Sequence, residues 1–461
     1  MSQPSSISLG AAVRAEIRAN LKLALPLIAA QLAGVGMGAI DTVFAGRLGA
    51  QALAAVAVGV NFNVIFFVVF MGLFMACSPV VAHMVGAGRP QADIGAFIRK
   101  ARRFAWIGGA VWVILLNLSA APALRQLHLD PQTTDLAITF VRALSGSAFG
   151  LSLWFTLRFS AEGLGQVRPI LYAGLVGLCC NALLDWLLLF GHFGLPRLGA
   201  PGCGVATTVS SLAMAGVLQW QFSHRRGLRE VMRASALGAG CAEGVPEILR
   251  IGTPIGLILL AEAGLFVAAA MLMAQFGDTT VAAYQVAINF ASMVFMIPVG
   301  VALATTVRVG HAAGAGEYRA ARFRGFVGMG LGLSNAASNS LIMALFGGVI
   351  AGFYTEDAGI AAEATYFMLL AAAFQFFDGL QVTASGALRG AGNTHAGLIV
   401  QLIGYWVVGI PVGLLLAYRA HLGAVGLWAG LCVALMIAGI ALLITWSRAA
   451  RDLDRTTPET V

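Results

Sequence analysis

The chain contains an internal repeat. One stretch reads GAQALAAVAVGVNF and ends HMVGAGRPQA (49–92), and a second, 228 residues further on, reads GDTTVAAYQVAINF and ends HAAGAGEYRA (277–320). A chain of this composition would give about 4 identities by chance, so the sequence predicts two homologous halves. Without gaps, 15 of the 44 aligned positions are identical, including Asn61 with Asn289, Gly72 with Gly300 and His83 with His311.

Twelve runs of predominantly apolar residues follow one another along the chain. Each is long enough to cross a hydrocarbon layer about 30 Å thick. With 59% hydrophobic and 10% charged residues, the chain has more apolar surface than one water-soluble core could bury. We therefore predict an all-α integral membrane protein with twelve transmembrane helices. Their approximate spans are 20–45, 54–80, 100–122, 136–160, 168–190, 200–223, 248–275, 281–307, 325–351, 361–387, 396–418 and 423–447.

The repeat offset covers six of these spans, so equivalent helices in the two halves point the same way. This pattern predicts two parallel-repeat six-helix bundles related by an axis along the membrane normal. Residues 224–245 are polar and contain glycine, which is typical of a connecting segment. The predicted domains are an N-lobe over 1–223, a cytoplasmic linker over 224–245, and a C-lobe with a short tail over 246–461.

The net charge of +8 indicates membrane orientation rather than nucleic-acid binding. If both termini are cytoplasmic, 23 of the 28 Lys and Arg residues, Arg158 among them, fall on the cytoplasmic side. This asymmetry follows the positive-inside rule and favours an even number of spans. We expect membrane lipid, and no nucleic acid, as a partner. The residues on the outer side are Arg47, Arg125, Arg142, Arg197 and Arg419.

Four carboxylates lie inside the apolar spans, two in each half: Asp41, Asp185, Glu262 and Asp378. A charge at the bilayer centre costs at least about 2.5–3.5 kcal/mol, so such acids indicate function. The helical rise places Glu262 and Asp378 near the middle of the membrane, and Asp41 and Asp185 at a shared level in the outer half. Asn181, one turn before Asp185, lies on the same helix face and offers a neutral oxygen.

Two carboxylates held close together in a medium of low dielectric cannot both stay ionised, so one of them holds a proton near neutral pH. A proton or Na⁺ relieves the repulsion, and a site that has released its ion can accept a cationic substrate, which is the logic of antiport. The alternative is that each acid only pairs with a polar group to fix packing. No Lys or Arg lies on the same helix within two turns of Glu262 or Asp378.

Pro26 lies inside the first span, where it removes a hydrogen bond and permits a bend. We predict that it bends the helix that bears Asp41; a passive kink is the alternative. Aromatic side chains suit an adaptable cavity for flat cations, although in membrane helices they also serve simple packing. The predicted cavity residues are Phe62, Phe66, Phe290, Phe295, Phe374 and Gln285.

The first helix, LALPLIAAQLAGVGMGAIDTVFAGRLG, and the eighth with its flanks, AAYQVAINFASMVFMIPVGVALATTVRVGHAAGAG, resemble the multidrug and toxic compound extrusion (MATE) family. They are most similar to its NorM-type bacterial branch, and the resemblance extends over nearly the whole chain. It implies a V-shaped pair of bundles in the bacterial inner membrane that exports cationic amphipathic drugs in exchange for H⁺ or Na⁺. It also implies that Glu262 and Asp378 bind the coupling cation, and that Asp41, Asn181, Asp185 and Thr207 form the polar network of the first lobe.

One position departs from the branch, since Tyr284 stands before Gln285 where NorM relatives commonly place His. We expect a monomer with no cofactor, and no metal other than Na⁺ at the acidic sites. An enzyme is not expected, because the chain shows no convergent nucleophile and base and no H-E-x-x-H motif. The alternative functions are a lipid-linked precursor flippase, which shares the broad architecture, and, on composition alone, a receptor or a channel.

Overall fold

The computed structural model describes residues 8–127, 130–194, 196–235 and 243–455, and these residues contain helices and no strands. Two short 3₁₀ turns, His192–Gly194 and Ala274–Phe276, and two π-helical segments, Ile403–Gly409 and Leu415–Arg419, accompany the α-helices. The α-helices are α1 Leu9–Leu48, α2 Ala50–Met75, α3 Cys77–Gly86, α4 Gln91–Arg125, α5 Pro131–Ser145, α6 Ser147–Gly163, α7 Arg168–Phe190, α8 Ala200–His224, α9 Arg226–Ala234, α10 Val245–Met273, α11 Asp278–Gly314, α12 Tyr318–Tyr354, α13 Ala358–Gly390, α14 Thr394–Leu402, α15 Ile410–Leu414 and α16 Gly423–Arg455.

Eleven helical segments of the described residues are long and apolar enough to cross a membrane, and α5 with α6 forms a twelfth span bent by 43°. Helices α2 and α3 together make one of the eleven, and so does the run Thr394–Arg419. This confirms the predicted all-α membrane fold with twelve spans. The bent pair corresponds to the fourth predicted span, 136–160, and the chain turns at Gly146 between the two helices.

The helices extend beyond the apolar runs at two places. Helix α1 begins at Leu9, well before the first predicted span at residue 20. The residues before the span are partly polar, so hydropathy alone does not mark them as helical. The segment predicted as a linker contains α9, which buries Leu228 and Val231, three residues apart on one helix face. A Cβ added to Gly95 of α4 would lie 2.3 Å from the Val231 carbonyl oxygen, so α9 packs tightly on α4.

The residue contacts group the chain into two compact units. Unit A comprises Ala29–Leu260, and unit B comprises Met1–Ile28 with Ala261–Val461. Both boundaries lie inside helices, one within α1 and the other within α10. The lobes predicted from chain order, 1–223 and 246–461, remain a prediction about domains; packing alone places the boundaries elsewhere.

Repeat-equivalent glycines account for these boundaries. In unit A, a Cβ on Gly72 of α2 would lie 2.4 Å from the Cα of Gly256 of α10. In unit B, a Cβ on the equivalent Gly300 of α11 would lie 2.4 Å from Cγ1 of Ile28 of α1. Ile28 and Gly256 are themselves separated by the repeat offset. Each unit therefore contains the first part of the other half's opening helix, held where a missing side chain allows close approach.

Replacing Gly72 with alanine is expected to lower the stability of unit A. The new Cβ would meet the backbone of Gly256, which cannot rotate away as a side chain can, and overpacking of this kind costs about 1–3 kcal/mol. The melting temperature of the purified protein in detergent should therefore fall. The matched control is Gly216→Ala in α8, where nothing lies within 4 Å of the added atom. Equal melting temperatures for the two variants would contradict the close helix contact.

Candidate functional site

Unit A contains a polar cluster, here called site 1, made of Asp41, Asn181, Cys203, Asp185 and Thr207. It joins α1, α7 and α8. The Asn181 amide donates to one oxygen of Asp41 at 3.0 Å, and the Thr207 hydroxyl lies 3.3 Å from the other. That hydroxyl also lies 2.9 Å from the backbone carbonyl of Cys203, so its single hydrogen is directed to one acceptor or the other. The structure thus brings together all four first-half residues that the sequence singled out.

Asp185 is fully buried in site 1. No amide, hydroxyl or guanidinium group of the described residues donates to either of its carboxylate oxygens at hydrogen-bonding distance, and the amide oxygen of Asn181 likewise has no donor among those residues. The side chains that interact with Asp185 are the Asp41 carboxyl and the Cys203 thiol. Two carboxylates can hydrogen-bond to each other only when a proton lies between them. Site 1 therefore offers buried oxygens suited to one proton or one small cation.

A close contact between helices creates this arrangement. Asn181 and Asp185 are four residues apart on α7 and share a face, and Gly177 lies one turn earlier on the same stripe. A Cβ on Gly177 would lie 2.3 Å from the side chain of Met214 of α8. The absence of a side chain there lets α7 and α8 approach, so that Asn181 and Thr207 reach the same carboxylate.

Unit B contains a second cluster, site 2, around Glu262 of α10 and Asp378 of α13. Glu262 is half-buried, and its carboxyl accepts a hydrogen bond from the Gln381 side chain. Asp378 is 3% exposed, lies within electrostatic range of Glu262, and has one oxygen with no donor among the described residues. The guanidinium of Arg389, three turns beyond Asp378 on α13, attracts Glu262. Site 2 is therefore a pair of acids that interacts with the buried guanidinium of Arg389.

Sequence reasoning missed Arg389 because it considered cations only within two turns along the same helix. Arg389 acts on Glu262 across a helix interface instead, and such a relation has no signature in the spacing of one helix. Gln381 was missed too, although its position three residues after Asp378 places it on the same face of α13 and could have indicated it.

A π-helical segment contributes the buried Tyr405 to the surroundings of site 2. Its hydroxyl has no hydrogen-bond partner among the described residues. The hydroxyl lies close enough to Glu262 and Asp378 to interact electrostatically with both carboxyl groups. The next residue, Trp406, donates from its indole nitrogen to the carbonyl of Ala261 at 3.2 Å. This bond ties the π segment to α10 directly beside Glu262. Single π-helical turns occur frequently at functional sites.

Two glutamines add to the buried polar groups of unit B. Gln375, one turn before Asp378, and Gln401, one turn before Tyr405, are both 0% exposed. The amide nitrogen and oxygen of each lack a hydrogen-bond partner in the part of the chain that the structure describes. Burying such amides without partners is costly, so they need an explanation beyond the packing of apolar residues.

The predicted cavity residues occupy different environments, and their role stays a prediction. Phe62 and Phe66 of α2 meet edge to face at 5.7 Å between ring centroids and are half-buried. Phe290, the repeat equivalent of Phe62, and Phe295 are half-buried on α11, where Gln285 is exposed. Phe374 is 1% exposed and packs against Phe266 and Trp428, so its ring is enclosed by other aromatic side chains.

Pro26 lies inside α1, which is assigned as one continuous helix, and its repeat equivalent Pro254 lies inside α10. Tyr284, at the position where the branch commonly has His, is buried on Trp428, with its hydroxyl 3.3 Å from the Phe266 carbonyl. Among the described residues, no group of three or more His, Cys, Asp or Glu side chains could hold a metal ion.

The described helices form two repeated halves, and each half carries a pair of acids within its membrane spans. This arrangement is typical of membrane transporters. The MatE family model matches residues 26–187 and 254–415, once in each half and in the register of the repeat. The chain therefore belongs to this family. Its members are transporters, which confirms the expectation of a transporter rather than an enzyme, and the chain is a multi-pass bacterial membrane protein.

The relatives and solved structures agree with this assignment. Multidrug resistance protein PmpM of Pseudomonas aeruginosa is 36% identical over 458 residues, which is 97% of this chain and 95% of that protein. Probable multidrug resistance protein NorM of Chromobacterium violaceum is 36% identical over 461 residues, 96% of this chain and 97% of that protein. The crystal structure of the eukaryotic MATE transporter AtDTX14 has the same fold, with a TM-score of 0.85, 23% identity, and coverage of 96% of this chain and 100% of that chain.

Asp185→Asn is expected to remove a buried protonated carboxyl from site 1. The new amide donates its own N–H to the Asp41 carboxylate, so the pair no longer needs a shared proton. The measurement is infrared spectroscopy of the purified protein, in which the carbonyl stretch of a protonated carboxyl should lose the contribution of one group. Asp135→Asn, at an exposed position on α5, is the control and should leave this band unchanged. A band of wild-type intensity in the Asp185 variant would show that Asp41 and Asp185 do not share a proton.

Proposed function

We propose that this chain is a secondary active transporter that exports cationic, amphipathic compounds in exchange for H⁺ or Na⁺. The observation that carries the proposal is site 1, where the fully buried Asp185 has only the Asp41 carboxyl and the Cys203 thiol as interacting side chains, and where the amide oxygen of Asn181 has no donor among the described residues. A group of this kind is stable when a proton or cation is bound and is strained when it is empty. Binding and release of the proton or cation can therefore drive a conformational change.

Site 2 supports coupling in unit B as well. Glu262 and Asp378 repel each other, and Arg389 and Gln381 compensate only one of them directly. A bound H⁺ or Na⁺, or the positive charge of a substrate, would remove the same repulsion. Ion and substrate then compete for the acids, and this competition is the chemical basis of exchange.

Energetics favour exchange over simple export. Moving a monovalent cation outward against an inside-negative potential costs about 2.3 kcal/mol per 100 mV, and one entering H⁺ or Na⁺ offsets that cost. The sequence shows no Gly-Lys-Ser/Thr phosphate loop after its Gly-Ala-Gly turns that would indicate the use of ATP.

The substrate class is supported by the relatives and by the chemistry of the sites. PmpM and NorM, at 36% identity over nearly the whole chain, are named multidrug resistance proteins. Acids attract cations, and the half-buried rings of Phe62, Phe66 and Phe290 offer faces to flat aromatic cations. The chain would therefore export many compounds that share charge and apolar area rather than one defined molecule.

Alternating access would use the helices that belong to both units. The packing boundaries lie a few residues after Pro26 in α1 and Pro254 in α10, where a proline permits bending. Loading or unloading Asp41 would then change the bend of the helix that carries it. The charge asymmetry of the sequence supports an orientation with both termini in the cytoplasm, and we propose that the chain acts as a monomer in the bacterial inner membrane.

The test is efflux of ethidium from proteoliposomes, driven first by a pH gradient and then by a Na⁺ gradient. Glu262→Gln and Asp378→Asn should each abolish gradient-driven efflux while the protein inserts normally, because the neutral side chains cannot exchange an ion for a substrate charge. Glu356→Gln, at an exposed position between α12 and α13, is the matched control and should transport like the wild type. Gradient-independent efflux by the wild type, or full activity of both acid variants, would overturn the proposal.

A further inference from the structure

A buried ion pair in unit A lies outside both acidic sites. Arg158 and Glu162 are four residues apart near the end of α6, and Nε of Arg158 lies 3.0 Å from Oε1 of Glu162. The side chains are 9% and 0% exposed. Nη2 of Arg158 also donates to the side-chain oxygen of Gln31 on α1 at 2.5 Å. The guanidinium therefore joins its own helix to α1 while its charge is neutralised locally.

Stability alone is a weak explanation for this pair. Removing two charges from water costs several kcal/mol for each ion, and apolar residues of similar volume are often equally stable. An ionisable residue inside a membrane span is by default a candidate for a functional role. The ring of Phe159, whose centroid is 5.3 Å from the guanidinium carbon, further encloses Arg158.

Gln31 connects this ion pair to α1, the helix that contains Pro26 and carries Asp41. Gln31 lies five residues after Pro26 and ten residues, about 15 Å along the helix, before Asp41. The first part of α1 packs in unit B, and the part beginning at Ala29 packs in unit A. The bond from Arg158 to Gln31 is therefore made just beyond the proline, where it fixes the segment of α1 that presents Asp41 to Asn181 and Thr207.

We propose that Arg158 is a positioning residue: its hydrogen bond to Gln31 fixes the part of α1 that follows Pro26. This proposal rests on the transport function proposed above. Glu162 keeps the guanidinium neutralised, so that the bond to Gln31 forms and breaks during transport without leaving a bare buried charge. Gln31 is suited to this role because its neutral amide both donates and accepts. Neither Arg158 nor Gln31 touches the ion; they set the position of the helix that does.

The amide of Gln31 gives the proposal a sharp test. Gln31→Leu removes the bond without changing any charge, and it should lower the maximal rate of ethidium efflux about tenfold or more, as expected for losing a hydrogen bond to a charged group. The KM should change less than about twofold, because the substrate site is untouched. The control is Gln51→Leu, an exposed glutamine at the start of α2, which should transport at the wild-type rate.

The exchanged pair Arg158→Glu with Glu162→Arg should restore the bond, since the Gln31 amide can rotate and donate to the new carboxylate. Its rate should stay within about threefold of the wild type, and adding Gln31→Leu to it should lower the rate as much as in the wild-type background. A wild-type rate for Gln31→Leu, or failure of the exchanged pair to transport although it inserts normally, would overturn the proposal.

A distance measurement separates this proposal from the transport function. Spin labels at Thr42→Cys on α1 and Leu183→Cys on α7, both exposed positions in unit A, report on the placement of α1 in a background that keeps only the buried Cys77 and Cys203 of the native cysteines. Gln31→Leu should broaden this distance distribution, and the exchanged pair should not. A broadened distribution in a protein that fails to couple ions would uphold the positioning role and reject antiport; an unchanged distribution would reject the positioning role.

Discussion

The cost of placing charge in hydrocarbon is the constraint on which the rest of this structure depends. Three of the four acids have a neighbour that moderates that cost: amide and hydroxyl groups for Asp41, a thiol for Asp185, and a glutamine and a guanidinium for Glu262. The compensation is incomplete at Asp185, whose charge Asp41 opposes, and at Asp378, one oxygen of which has no donor among the described residues. Polar groups that are nearly but not fully satisfied respond strongly to one added proton or cation.

Most of the fold could be predicted from the sequence, because apolar length and an internal repeat are properties of the chain itself. The twelve spans and the offset between the halves are examples, and the family model matches the two halves in the same register. Helix ends were less predictable. Hydropathy marks where a helix meets lipid, whereas α1 begins at Leu9 among polar residues and α9 lies in the segment predicted as a linker. The membership of α1 and α10 in two units also had no local signal.

In the site, too, some features could be predicted from the sequence and others could not. The acids could be identified because a charge in an apolar run is conspicuous, and Asn181 because it lies one turn from Asp185. Their role in coupling stays a prediction. Arg389, Tyr405 and the bond from Arg158 to Gln31 arise only where different helices meet. Arg158 looked like one more cytoplasmic charge in the sequence; only tertiary contacts show it enclosed beside Glu162.

The paired contacts of Gly72 with Gly256 and of Gly300 with Ile28 join the second helix of each half to the start of the first helix of the other half. An exchange of the same element between two homologous halves has the form of a domain-swapped dimer within one polypeptide. Neither half therefore completes its own packing without the first helix of the other.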